Sequence, residues 1–180
     1  VTIGITVAMF AAAILALPLV PRQFFPSSDR PELLVDLTLR QNASIAASQT
    51  TAERVEALLK GDPDVDHYST YVGRGAIRFY LPLAVHLANP FFSQIVIIAK
   101  DIEARDRLQV RLETVLAKDF PELVSRVSPL EMGPPVGWPL QYRVIGPDKD
   151  ELRRIGEDVA KLMAADTRGR NVNSDWLEPA

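Results

Sequence analysis

The first 21 residues carry no charged side chain, and this run constrains the chain more than any other feature. All 20 Lys and Arg and all 23 Asp and Glu residues lie beyond it. The stretch "VTIGITVAMFAAAILALPLV" has about the 20 residues that a helix needs to cross a bilayer. It predicts a transmembrane helix over residues 1–21. A cleaved signal peptide and a buried core helix are the alternatives, but no basic segment precedes the run and it is long for a signal sequence.

Residues 22–30 are expected to form a membrane-exit linker. The segment begins "RQFFPSS", and the prolines at 18 and 21 would end the preceding helix. Aromatic rings such as Phe24 and Phe25 favour the headgroup level of a membrane.

Composition excludes several classes of function. The 180 residues are 47% hydrophobic and 24% charged, with a net charge of −3, which is typical of a globular protein that lacks a basic surface for nucleic acid. The absence of cysteine excludes disulfides and thiolate metal sites. Paired catalytic carboxylates, a Ser-His-Asp set and a glycine-rich phosphate loop are also missing. No enzymatic function, cofactor or metal site is expected.

Residues 31–132 predict a β-α-β-β-α-β order, the α+β ferredoxin-like sandwich. The run "ELLVDLTLRQ" alternates apolar and polar residues as a half-buried strand does. Ser44 and Asp101 are predicted N-caps of two helices, the first with Ile45 and Leu58 on its inward face. The other strands are predicted in "VDHYSTYVG", "FFSQIVIIAK" and "ELVSRVSPLEMG".

Residues 133–180 predict a connector followed by the first β-α-β part of a second, incomplete subdomain. The segment "GPPVGWP" is rich in turn residues. A strand is expected in "LQYRVIG", a helix after the N-cap Asp148, and a strand in "RNVNSDWLE".

An apolar segment leading through "FFPSSDRPELLVDLTL" into a β-α-β-β-α-β domain, and then through "LEMGPPVGWPLQYRVIGPD" into a second unit, resembles the resistance-nodulation-division (RND) efflux transporters. The likeness is to their proton-driven, drug-exporting branch. Residues 1–21 then resemble the seventh transmembrane helix, and residues 31–132 the first porter subdomain of the second half. Because Met9, Met132 and Met163 are too scattered for a thioether relay, the heavy-metal branch is disfavoured.

The resemblance implies an inner-membrane homotrimer whose residues after 21 lie in the bacterial periplasm. Such a secondary transporter, a proton/drug antiporter, exports small amphiphilic substrates. It works with a periplasmic adaptor protein and an outer-membrane channel, which it contacts through parts that residues 1–180 do not include.

The long irregular segment over residues 73–89 occupies the place of the switch loop of that family. Arg78, Phe79 and Tyr80 are the predicted substrate contacts, because aromatic faces and a guanidinium suit varied apolar and acidic ligands. Gly73 and Gly75 are the predicted hinge. The alternative is a structural loop that its own aromatic side chains pin to the sheet.

Arg126, Ser128 and Glu131 form the second group of predicted substrate-binding residues. Glu131 matches an acidic residue at the cleft entrance in the family, and Arg126 and Ser128 share one strand face by alternation. A solvated strand end explains these residues too. A polar Arg126 and Ser128 depart from the bulky apolar residues expected on that strand, so a less hydrophobic pocket is expected.

A single-span extracytoplasmic interaction module without a transport role is the main alternative function. An RNA-binding sandwich of the same topology fits less well, because basic charge and paired strand aromatics are lacking.

Overall fold

The computed structural model describes residues 2–19, 28–133, 137, 138, 140–166, 169 and 171–176. The helices are α1 (Thr2–Ala16), α2 (Ile45–Leu59), α3 (Ile102–Asp119) and α4 (Lys149–Ala165), and a 3-10 turn, Leu17–Leu19, follows α1. The strands are β1 (Glu32–Thr38), β2 (Val65–Val72), β3 (Phe92–Ala99) and β4 (Val124–Pro129).

The N-terminal helix is shorter than the sequence predicts. It spans 15 residues, against the 21 expected, and none of them is buried. Within the described part of the chain, no helix is both long and apolar enough to cross a membrane. The predicted transmembrane helix is therefore unsupported. The predicted exit segment at residues 22–27, with Phe24 and Phe25, lies outside the described residues.

One antiparallel sheet organises residues 32–129. Its strand order is β2-β3-β1-β4, with β1 paired to both β3 and β4. Each of the two helices connects strands that are not neighbours in the sheet, which confirms the predicted β-α-β-β-α-β order.

The main core lies between the sheet and the two helices α2 and α3. Odd-numbered residues of β1 and β3 face it, because side chains alternate across a strand. Its buried members are Leu33, Val35, Leu37, Val55, Leu59, Ile95, Ile97, Leu108, Leu112, Leu116, Phe120 and Val127.

Both helices begin where the sequence predicts. The side chain of Ser44 accepts a hydrogen bond from the backbone N–H of Ala47 at 3.2 Å, and Asp101 accepts one from Ala104 at 2.6 Å. The inward face of α2 was partly misassigned, since Ile45 and Leu58 are exposed. Ser48 and Thr51 are buried instead.

The opposite face of the sheet is also covered, which the sequence does not predict. Strand β1 is buried on both sides rather than half-buried. Leu34 of β1 and Val96 of β3 form a second cluster with Ala76 and Leu83, which belong to the segment between β2 and β3. The sheet is therefore enclosed by helices on one face and by an irregular loop on the other.

The two strands predicted after residue 139 are wrong in the described part of the chain. Residues 140–146 and 171–176 form neither helix nor strand. The helix between them is present, and Asp148 caps it by accepting from the backbone N–H groups of Asp150 and Glu151. A helix closes its hydrogen bonds within one segment, whereas a strand needs a partner. No described strand pairs with either segment.

Candidate functional site

The loop over residues 73–89 is tied to the sheet at both of its ends. Gly73 donates its backbone N–H to the carbonyl of Phe92 at 2.8 Å, and the N–H of Asn89 returns to the carbonyl of Gly73 at 2.8 Å. Gly73 has φ +73°, a conformation that favours glycine, and an added Cβ would lie 2.8 Å from Cδ1 of Ile45. The loop thus leaves and rejoins the sheet at nearly one point.

Gly75 lies where the two limbs of the loop touch. A Cβ at this position would lie 2.9 Å from Cβ of His86 and 3.2 Å from its backbone nitrogen. The N–H of Gly75 also points to the carbonyl of His86 at 3.4 Å. The predicted hinge role of Gly73 and Gly75 remains a prediction; the structure shows that close limb packing requires glycine at 75.

A buried amide fastens the loop to the centre of the sheet. Gln94 of β3 is only 1% exposed. Its Oε1 accepts the backbone N–H of Ala76 at 2.8 Å, and its Nε2 donates to Oδ1 of Asp36 at 2.6 Å. Because Nε2 of Gln94 donates to Asp36, the acceptor Oε1 is the end of the amide that faces the loop.

Asp36 is a carboxyl group held largely out of water beneath the loop. Its side chain is 15% exposed, and its Oδ2 lies 4.0 Å from Nε2 of His86. Burial raises the pKa of Asp36 above its usual value, while the hydrogen bond from Gln94 and the charges of His86 and Arg126 partly oppose the rise.

A small hollow lies between the loop and the sheet. It encloses about 50 Å³, well below the roughly 300–1,000 Å³ of a site for a drug-sized ligand. Apolar and polar groups share its wall. The lining residues are Leu34, Asp36, Tyr80, Pro82, Leu83, Ala84, His86, Gln94, Arg126, Ser128, Pro129, Leu130 and Glu131.

Four of the six predicted substrate-binding residues meet at this hollow. Arg126 and Ser128 reach it from β4, as their alternation predicts, and Tyr80 reaches it from the loop. Nη2 of Arg126 donates to Oε1 of Glu131 at 2.9 Å, and the hydroxyl of Tyr80 donates to the backbone carbonyl of Glu131. These contacts close one side of the hollow.

The other two predicted contacts lie on the outer side of the loop. Arg78 is exposed and Phe79 is 39% exposed, and neither lines the hollow. Ile77, Leu81 and Leu87 are exposed as well. The run that was expected to act together is therefore divided, with Tyr80 facing inward and its two predecessors facing outward.

Sequence reasoning missed Asp36, Gln94 and His86. A signal for the first two exists, since each is a polar residue within a largely apolar strand. Strand register places the two opposite each other. His86 has no such signal, because the segment around it has no period. For the described residues, no group of three or more His, Cys, Asp or Glu side chains could hold a metal ion.

Comparison with known proteins gives a structural likeness only. No protein-family model matches the chain, and no curated protein does. Two crystal forms of a heavy metal efflux pump match it with TM-scores of 0.56 and 0.53, at 19% and 17% sequence identity. The matches cover 91% and 90% of this chain.

The chain shares its fold with a segment of that pump. It spans 18% of the pump's length in either crystal form. At this level of identity the likeness concerns the fold and does not distinguish among substrates.

Proposed function

We propose that the chain is a porter segment of an RND efflux pump, and that its 73–89 loop controls access to a substrate cleft over the sheet. One observation carries the proposal. A 17-residue irregular loop folds back over a sheet face, where its Tyr80 closes a hollow against Glu131. Loops longer than about 12–15 residues in compact domains are usually either functional or disordered, and this one is held to the sheet by hydrogen bonds. The fold shared with an efflux pump supports the transport context.

We propose amphiphilic compounds as the substrates. The hollow combines an aromatic ring, Tyr80, with the aliphatic Leu34, Leu83 and Leu130 and the guanidinium of Arg126. Apolar walls with a few convergent polar groups suit small molecules that have both characters. A hollow of about 50 Å³ is too small for such a compound, so the loop would have to lift for one to bind.

In the wider protein, we propose the remaining features of the drug-exporting branch. They are an inner-membrane homotrimer driven by proton antiport and cooperation with an adaptor and an outer-membrane channel. Residues after 21 would lie in the periplasm, with 31–132 as a porter subdomain and 133–180 as a connector and part of a second, incomplete one. The shared fold supports these proposals at the level of the porter segment only.

The test is efflux from cells that express the whole transporter with Tyr80→Phe, which removes the hydroxyl bound to Glu131. The matched control is Tyr68→Phe, because Tyr68 packs against the helix-side core on the other face. We expect Tyr80→Phe to change the efflux of several amphiphilic dyes unequally and Tyr68→Phe to leave it unchanged at equal protein levels.

Divalent metal ions should be measured in the same cells. Dye efflux that is absent in every strain, with metal efflux present, would retain the transporter and overturn the substrate class. Dye efflux that is equal in wild type and Tyr80→Phe for all dyes would overturn the access role of the loop.

A further inference from the structure

The loop covers a titratable group, and this links its position to pH. Asp36 projects from β1 toward the loop, and Pro82, Leu83 and Ala84 line the hollow around it. Loop residues thus help to keep water from a carboxyl group that is only 15% exposed. Lifting the loop would return that group to solvent.

We propose that the 73–89 loop is a proton-sensitive cover, which stays closed over the sheet when Asp36 is protonated and opens more readily when Asp36 is ionised. Any consequence of this coupling for transport rests on the proposed function. The coupling itself concerns only the loop and the sheet.

The direction in which protonation shifts the loop follows from the free-energy cost of burying a charge. Removing a carboxyl group from water disfavours its charged form more than its neutral form. Closing the loop therefore raises the proton affinity of Asp36, and by linkage protonation favours the closed loop. Burial is the largest influence on the pKa of Asp36, which lies above the usual value of 3.8.

The groups that face Asp36 lower its pKa, but by less than burial raises it. Nε2 of Gln94 donates from β3 at 2.6 Å, and His86 approaches from the descending limb of the loop at 4.0 Å. Arg126 lies directly across the ladder on β4, and its positive charge favours the ionised form.

Two further titratable groups line the same hollow. Glu131 receives a hydrogen bond from Arg126 and so draws part of that positive charge toward itself. Tyr80 is the other, and its hydroxyl is directed to the carbonyl of Glu131. Of the two carboxyl groups at the hollow, Asp36 is the more buried, with its side chain 15% exposed against 30% for Glu131.

Gln94 transmits the protonation state to the loop. When Asp36 is ionised beneath the closed loop, its charge is stabilised by the hydrogen bond from Nε2 of Gln94. Water would stabilise that charge better. Opening frees that charge but breaks the bond between Oε1 of Gln94 and the N–H of Ala76. Protection of the Ala76 amide from hydrogen exchange is therefore a direct measure of the closed loop.

The experiment is amide hydrogen exchange of the full chain in detergent micelles from pH 4 to pH 8, followed by NMR. Rates are expressed as protection relative to an unstructured peptide at each pH, which removes the intrinsic effect of pH. We expect protection at Ala76 to fall as the pH rises. The fall should be about tenfold for each pKa unit by which closure shifts Asp36, while the Ile95 and Ile97 amides stay constant.

Asp36→Asn removes the charge with almost no change of shape, and Asp119→Asn is its matched control at the exposed end of α3. Asp36→Asn should keep Ala76 protected at every pH, and Asp119→Asn should behave as wild type. The pKa of Asp36 can also be measured in the wild type, by following the NMR signal of its carboxyl carbon as the pH changes. We expect this pKa to lie above 3.8.

Constant Ala76 protection in the wild type, an unchanged pH response in Asp36→Asn, or an Asp36 titration at or below 3.8 would each overturn the coupling. None of these outcomes affects the efflux test, which compares loop variants at one pH. An efflux defect in Tyr80→Phe together with flat Ala76 protection would keep the proposed function and reject the proton-sensitive cover.

Discussion

Gln94 and Asp36 are opposite one another on adjacent strands, and the amide of one donates to the carboxyl group of the other at 2.6 Å. The same amide accepts the backbone N–H of Ala76. A single side chain thus joins two strands and a loop. This arrangement explains how an irregular segment can cover a sheet face with one defined geometry.

Replacing Gln94 by Leu should destabilise the protein, because it leaves two buried polar groups without a hydrogen-bond partner. The N–H of Ala76 and the carboxyl group of Asp36 would both lose their partner. Each buried group left without a hydrogen bond costs about 1–3 kcal/mol. Urea unfolding of the full chain measures this, with Gln49→Leu on the exposed surface of α2 as the control. Equal midpoints for the two variants would contradict the role assigned to Gln94.

Gly75→Ala should loosen the loop and destabilise the domain. The added methyl group would meet Cβ and the backbone nitrogen of His86, and the backbone contact cannot be relieved by a rotamer change. Overpacking of this kind costs about 1–3 kcal/mol. Gly156→Ala is a matched control, since a Cβ there meets nothing within 4 Å and the site is inside α4. It should be neutral or slightly stabilising. Equal effects of both changes on the urea midpoint would show that the limbs separate freely.

An acid-dependent part of the stability should depend on Arg107. Its Nη2 lies 2.6 Å from Oδ1 of Asp64, and this hydrogen bond, with the charge of Arg107, lowers the pKa of Asp64. A lowered pKa in the folded state stabilises the protein above the usual value of 3.8, and this stabilisation is lost as the pH falls through the lower folded value.

Arg107→Gln should therefore flatten the decline of the urea midpoint between pH 4 and pH 2. The change should be partial, because Arg111 also contacts Asp64, at 3.4 Å. Arg54→Gln, which removes an exposed pair with Glu122, is the control. High salt should reduce the difference, since Arg107 is largely exposed. An acid profile identical to wild type would refute the assignment.

Local patterns predicted the helices α2, α3 and α4 and the four strands of the sheet. Ser44, Asp101 and Asp148 were identifiable as N-caps because capping needs only a short polar side chain and the three residues after it. The four strands of the sheet follow from short segments enriched in β-branched, aromatic and aliphatic residues, although β2 and β4 also contain several polar ones. Such signals are contained within a few neighbouring residues.

What depends on contact with distant residues was not predictable. The expected strand at 140–146 has the right composition, but composition does not supply a partner strand. The second buried face of β1 also escaped, because Leu34 is covered by a loop rather than by a periodic element. The opposite orientations of Phe79 and Tyr80 follow from irregular backbone, which carries no period.

Those opposite orientations predict that Phe79 contributes to transport in addition to its contribution to stability. Its ring lies on the outer side of the loop and is 39% exposed. Phe79→Ala should lower the unfolding free energy of the chain by about 1–2 kcal/mol, because more than half of the ring is covered. It should also remove stacking worth about 1 kcal/mol from any ligand that passes over the loop. In the whole transporter, efflux of chemically distinct dyes should fall unequally at normal protein levels. Val110→Ala, an exposed apolar change on α3, is the matched control and should alter neither quantity. If Phe79→Ala leaves the efflux of every dye as in wild type, the outer surface of the loop takes no part in substrate contact, and the predicted role of Phe79 is wrong.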